Sequence, residues 1–301
     1  MRIALLGAGL IGGSIARALR AGPNPSADGQ SVEIAAWSPG GAGPDAALRA
    51  GVVGRVARDV ADAVRGADLV VLAAPPLACL DLIAELAGGA RRAMEPDALV
   101  TDVASTKARL VERAAGLGLP FVGGHPMAGL ETSGFAAARA DLFAGRPWIV
   151  VPGPTSPATG VVRVMALASA CGARPLLMNA AEHDAMVAGI SHLPLVVAAA
   201  LVEAVAGRAG EPLRQDWPGA AALAAGGWAS MTRLARGDVA MAAGIAATNG
   251  LAIVARLREF SAVLDSWLAE LDQAEPDADR LATRFAAVRE RLETDVPDGG
   301  T

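Results

Sequence analysis

The chain has 301 residues, 53% of them hydrophobic and 19% charged, with a formal net charge of −5 and a pI near 5.3. That length accommodates two domains with sizeable cores, and the composition excludes a disordered chain. The acidic balance carries no basic stripe, which argues against nucleic acid as a partner.

No apolar run reaches the roughly 18 residues that a membrane span needs, the longest being Leu193–Val202. The N-terminus opens directly on a strand pattern, leaving no room for a signal peptide, so a soluble cytoplasmic protein is expected. Cys79 and Cys171 lie far apart in apolar contexts and read as buried thiols of a reducing compartment. Tyrosine is absent, which removes the phenol from the possible catalytic acids.

In chain order, Arg2–Leu6 reads as a strand that runs into Gly7-Ala8-Gly9-Leu10-Ile11-Gly12, followed by helical periodicity over Gly12–Arg20. A strand before, a helix after and a further strand about twenty residues on form the setting in which this pattern holds a dinucleotide. Gly7, Gly9 and Gly12 permit a tight turn and close backbone approach. Leu10 and Ile11 open the helix whose unpaired N–H groups would meet the pyrophosphate.

After a loop over Gly22–Gln30 comes the strand Val32–Trp37, whose end should carry an acid for the ribose hydroxyls. Ser38 stands there instead. A hydroxyl would not repel a 2′-phosphate, so the cofactor is NAD or NADP with a slight lean to NADP, although the nearest basic residue is Arg49. The strand Leu69–Ala73 ends in Ala74-Pro75-Pro76, which would line the groove beneath adenosine and ribose.

The strand Leu99–Thr101 leads through Asp102 to Ser105-Thr106-Lys107 at a helix start. Ser105 fits an N-cap and a substrate contact equally well. After the strand Pro120–Val122 comes a loop, Gly123-Gly124-His125-Pro126-Met127-Ala128-Gly129. His125, one of three histidines and fixed by Pro126, is a candidate for proton transfer near neutral pH. Strands at Trp148–Val151 and Arg174–Leu177, with helices at Leu77–Ala87, Ser105–Leu117 and Pro157–Cys171, complete an alternating pattern. The fold class is α/β, a Rossmann-type doubly wound and mostly parallel sheet.

Beyond Met178 strand signals stop, which places a dinucleotide-binding domain at 1–178 and an all-α domain at 179–295. Ala180–Ala206, Gln215–Leu234, Asp238–Asp272 and Asp277–Leu292 read as helices, with a loose tail at Pro297–Thr301. Helices so apolar must be covered, either within a bundle or by a second copy, and a homodimer is expected. His183, between Glu182 and Asp184, reads as structural or solvated. On a continuous helix it would point away from His192, so no shared metal is expected.

Taken together, the glycine turn, Asp102-Val103-Ala104-Ser105-Thr106-Lys107, Gly124-His125-Pro126-Met127-Ala128-Gly129, Ser191-His192-Leu193-Pro194 and Thr232-Arg233-Leu234-Ala235 resemble the prephenate/arogenate dehydrogenase family of tyrosine synthesis, over about residues 1–290. The resemblance implies a Rossmann domain, a helical dimerisation domain, and oxidative decarboxylation of prephenate or arogenate with hydride transfer to NAD(P). It makes His125 the group that accepts or polarises the substrate's hydroxyl proton, with Ser105 bonding that hydroxyl or holding the imidazole. His192 would help place substrate and nicotinamide, Arg233 would grip a substrate carboxylate, and Glu131 would lie near the pocket entrance.

The chain departs from the family at Ser230, often acidic there, and at Ala242-Ala243-Gly244, where bulkier and more polar residues are usual. Two other readings stand beside this one. Another two-domain dehydrogenase or imine reductase would draw on a lysine of the helical half, whereas the single lysine here is Lys107. A non-catalytic dinucleotide sensor would need the glycines but not His125 together with Arg233.

Overall fold

The computed structural model describes residues 1–22, 31–130 and 132–295. Its first part alternates β1 (Arg2–Leu6), α1 (Leu10–Ala21), β2 (Glu33–Trp37), α2 (Ala42–Arg49), β3 (Arg55–Val56), α3 (Val60–Ala63), β4 (Leu69–Leu72) and α4 (Pro76–Ala87). It continues through β5 (Leu99–Asp102), α5 (Ala108–Gly116), β6 (Phe121–Pro126), β7 (Pro147–Pro152), α6 (Ala158–Ala170) and β8 (Arg174–Leu177). The strands form one sheet in the order β3-β2-β1-β4-β5-β6-β7-β8, parallel throughout except between β6 and β7. The doubly wound, mostly parallel sheet is thus as expected.

Alternation along the strands builds two apolar layers. Ile3, Leu5 and Val71 join Ile15 and Leu19 of α1 and Leu167 of α6, while Ala4, Leu6, Val70 and Leu72 join Ile83 and Leu86 of α4 and Leu110 of α5. With both faces covered, β4 is buried at every position rather than at alternate ones. Chain order reverses between β1 and β4, and the carboxyl ends of those strands open the crevice where ligands of such sheets bind.

Beyond β8 run α7 (Ala180–Val187), α8 (Leu193–Ala206), α9 (Trp217–Ala222), α10 (Gly226–Thr232), α11 (Val239–Thr248), α12 (Gly250–Leu271) and α13 (Ala278–Asp295). The helices expected here are interrupted. A π-helical turn over Ala188–His192 joins α7 to α8, and Asn249 separates α11 from α12. Gln215–Leu234 divides into α9 and α10. Two of these breaks fall where glycine or a polar residue interrupts the apolar run, at Gly189 and at Asn249-Gly250, whereas α9 and α10 part at the apolar Leu223-Ala224-Ala225.

The stretch Ala180–Ala206 is 27 residues with a window hydropathy of 2.1, long and apolar enough by composition to cross a membrane. This corrects the count based on uninterrupted apolar residues, because polar residues such as His192 are carried inside the helix. The short β3, α2 and α3 had no clear signal in the sequence. The Gly22–Gln30 loop beyond Gly22 and the tail Pro297–Thr301 lie outside the described residues.

By internal contacts the chain divides into compact units Met1–Ile253 and Val254–Thr301. In the second unit Trp267 packs on Phe285 with centroids 4.9 Å apart, and Arg284 lies 3.8 Å over the Trp267 ring.

One buried ion pair underlies the site. The Lys107 ammonium contacts Asp102 Oδ2, and neither side chain is exposed. Asp102 also accepts from the Gly124 and Ala104 N–H groups, at 3.1 and 2.9 Å. Burial pushes the Asp102 carboxyl up, opposed by Lys107 and these two donors. Lys107→Met would leave that carboxyl buried without its counter-charge. It should lower unfolding free energy by about 3–5 kcal/mol in urea denaturation.

Candidate active site

At the end of β1, Gly7 takes φ +112°, and a Cβ there would stand 2.1 Å from the Ala73 carbonyl oxygen. A Cβ on Gly12 would stand 2.0 Å from the Gly7 carbonyl, so these two glycines close the turn against β4 and α1. Gly9 differs: nothing lies within 4 Å of its would-be Cβ, and the residue lines a cavity of about 690 Å³. It also precedes α1 with no side-chain cap, and the first turn carries no acidic residue. An uncapped helix start with open space before it fits a pyrophosphate. Leu10, Ile11, Ala74 and Pro75 line the same cavity.

Ser38 follows β2, and its hydroxyl accepts from the Ala8 N–H at 3.1 Å. The side chain braces the glycine turn, which accounts for a hydroxyl at this position without a ribose phosphate. The lean to NADP therefore loses its basis.

His125 lies on β6, opposite Ile149 of β7, and not in a loop. The glycines before it mark close packing rather than a turn, since a Cβ on Gly124 would stand 2.5 Å from the Asp102 carbonyl oxygen. The ring is 8% exposed. Its Nδ1 lies 2.8 Å from His183 Nε2, and His183 Nδ1 lies 2.8 Å from Asp184 Oδ1. The same carboxylate accepts from the Lys107 and Ala108 N–H groups, both at 2.8 Å, so it caps α5 from another element. Burial opposes ionisation of Asp184, but hydrogen bonds from His183, Ala108 and Lys107 outweigh it and hold the group below the usual carboxylate range.

His192 sits in the π-helical turn, fully buried. Asn249 Nδ2 lies 2.8 Å from the Asp184 carbonyl oxygen and 3.0 Å from His192 Nδ1. A carbonyl can only accept, so the amide nitrogen of Asn249 faces both atoms and His192 Nδ1 is the acceptor. A neutral His192 then carries its proton on Nε2, which is buried and has no hydrogen-bond partner among the described residues. Thr106 and Thr248 hydroxyls meet at 2.8 Å, and Thr248 donates to the Gly244 carbonyl, so Thr106 is the donor of that pair.

Ser105 is half-buried, and its backbone faces His192 and favours the protonated ring without closing a hydrogen bond to Nε2. Arg233 is exposed on the cavity wall, as are Arg236 and Asp238, which the sequence reading passed over. His125, Ser105 and His192 are not on that wall, although Val103, Gly129 and Ser191 beside them are. Glu131 lies outside the described residues. The sequence also missed His183, Asp184 and Asn249. His183 is 1% exposed, which fits the structural one of the two readings and not the solvated one. A Glu-His-Asp triplet opening an apolar helix and a lone Asn inside another were the available signals.

The family model for the prephenate dehydrogenase nucleotide-binding domain matches residues 15–177, and that for the prephenate dehydrogenase dimerization domain matches residues 179–287. A prephenate dehydrogenase of Bacillus subtilis is 34% identical, over 96% of this chain and 74% of its own length. A cyclohexadienyl dehydrogenase of Zymomonas mobilis is 30% identical, over 94% of this chain and 92% of its own. The solved prephenate dehydrogenase of A. aeolicus in complex with hydroxyphenyl propionate and NAD+ superposes with a TM-score of 0.80 at 26% identity, covering 97% of this chain and 98% of its own.

Both candidate imidazoles resist protonation. Burial, with the nearby His183, Lys107 and His192, holds His125 well below its ordinary 6.5. Burial pushes His192 down to about 4, against Asp184, which raises it, and with His183, which lowers it. A base depressed in the folded state is neutral at pH 7, and its function is lost only as pH falls through the lowered value. Turnover should therefore stay level at neutral pH and fall only well below 6.5. Folding stability should begin to fall nearer pH 6.5, where the unfolded chain takes up protons that the folded rings refuse. Parallel pH series of turnover and of urea midpoints would show the two declines separated.

Proposed function

The chain belongs to the prephenate dehydrogenase family, and on that premise we propose how its own residues carry the reaction. That reaction is the oxidative decarboxylation of prephenate or arogenate in tyrosine synthesis, giving 4-hydroxyphenylpyruvate or tyrosine. NAD(P)+, when bound, supplies the acceptor for hydride from the carbinol carbon. Gly7, Gly9 and Gly12 with the start of α1 would hold its pyrophosphate, and Ala74 and Pro75 would floor the groove. Ser38 steadies the turn, and NAD and NADP remain equal candidates.

His125 takes the proton of the ring hydroxyl on Nε2. The observation that carries this role is its occupied Nδ1, which leaves Nε2 as the nitrogen available to a ligand. As the C–H bond to the departing hydride breaks, the O–H electron pair closes the carbonyl. The bond to the ring carboxylate then breaks with release of carbon dioxide, its electrons complete the aromatic ring, and the ring oxygen takes the proton back from His125. His192, donating from Nε2, hydrogen-bonds an acceptor of the substrate or nicotinamide. Ser105 helps hold the hydroxyl or the imidazole. Arg233 grips a carboxylate in the bidentate geometry that guanidinium favours. Glu131 is assigned to the pocket entrance by resemblance alone.

The residue boundary near 178/179 separates the cofactor-binding half from a helical half, 179–295, that forms a homodimer. Leu223, Val239 and Leu251 are 84%, 81% and 93% exposed, more apolar surface than a lone protomer usually presents.

An assay crossing prephenate and arogenate with NAD and NADP, read by absorbance of reduced nicotinamide, tests the function. Turnover with neither substrate would reject it. His125→Asn should lower kcat about 10²- to 10⁴-fold with cofactor affinity unchanged. Arg233→Ala should act mainly on the substrate KM, raising it roughly 10- to 100-fold, the worth of a charged hydrogen-bond pair. An effect confined to cofactor affinity would remove Arg233 from substrate binding.

A further inference from the structure

We infer that His183, held by Asp184, is a positioning residue that fixes the tautomer of His125 so that its unprotonated nitrogen is the one available to substrate. The inference rests on His125 being the base. It follows from a hydrogen-bond chain in which, with His183 neutral, each partner's role is set by the one behind it.

The Asp184 carboxylate can only accept, so His183 carries a proton on Nδ1, 2.8 Å away. A neutral His183 then offers a lone pair on Nε2. The atom 2.8 Å from that lone pair is His125 Nδ1, which must therefore hold the proton of its ring. A neutral imidazole has one N–H, so Nε2 of His125 is left as a base. Without His183 the ring could place its proton on either nitrogen, and the Nε2–H form takes no proton from an alcohol.

The chain also meets the charge that forms. When the substrate O–H bond breaks, its proton binds His125 Nε2 and the ring becomes cationic. The Nδ1–H bond to His183 strengthens, and the Asp184 negative charge lies at the far end of the same line. His183 is 1% exposed and Asp184 4%, so water does not replace either partner. The two rings stand edge to face, with an interplanar angle of 74°, which aims a nitrogen of one at a nitrogen of the other. The second active-site histidine has the opposite setting. Asn249 donates to His192 Nδ1 and so puts that ring's proton on Nε2. The site thus holds one imidazole set as an acceptor and one set as a donor.

The test combines ¹⁵N NMR of the histidine rings with steady-state kinetics of the full-length enzyme. In the unaltered protein at neutral pH, His125 should show its proton on Nδ1 and His192 on Nε2. His183→Phe should lower kcat about 10²- to 10⁴-fold, leave the substrate KM and cofactor affinity within a few-fold, and lose the fixed Nδ1–H signal. His183→Gln, which keeps an acceptor oxygen, should restore most of kcat. A His125 ring protonated on Nε2 in the unaltered enzyme would overturn the inference, even if His183→Phe fails to fold. So would His183→Phe turning over normally while His125→Asn is inactive. Normal turnover in His125→Asn would instead reject the base assignment itself.

Discussion

The Asp184 side chain is the point through which the separate elements of this site are held in register. Its carboxylate accepts from the Lys107 and Ala108 N–H groups and from His183, while its carbonyl accepts from Asn249. Through these bonds one residue caps α5, orients the imidazole behind His125 and sets the amide that binds His192. An isolated buried carboxylate would be strongly unfavourable, and hydrogen bonds from two N–H groups and an imidazole offset the loss of water. Removing it would strand several buried donors together, at about 1–3 kcal/mol for each. A network of this kind is rigid because every member has its partner.

The same burial that makes the network rigid governs the chemistry. An imidazole taken out of water beside Lys107 and other histidines stays neutral, which suits a base but weakens its pull on a proton. In the proposed reaction the Asp184 charge, one ring removed, compensates when His125 becomes cationic. The Asp102–Lys107 pair works at the level of the backbone. Asp102 accepts from the Gly124 N–H, and so ties the residue before His125 to the end of β5. Electrostatic order and main-chain position are thus supplied by different carboxylates.

Much of this was legible in the residue order. The glycine turn lies between β1 and α1 as its spacing implied, and Leu10, Ile11, Ala74, Pro75 and Arg233 all face one cavity. The strand pattern located β1 and β8 to the residue, because apolar runs bounded by glycine and polar residues carry a strong local signal. Less legible was β6. Two glycines before His125 look like a turn when read locally, whereas in the sheet they let β5 and β6 approach. The break at Asn249 was equally obscure, since the apolar pattern runs on through it.

The sequence by itself determined the alternation of elements, the cofactor turn and the family motifs around His125, His192 and Arg233, all of which depend on neighbours a few residues apart. Tertiary structure alone decided the partners of the imidazoles. His183 is 58 residues from His125, and Asn249 is 57 from His192, so no local pattern could pair them. A hydrogen bond depends on angstrom-scale approach and on which lone pairs are already occupied. Those are fixed only when the sheet and the helices close around the same few atoms.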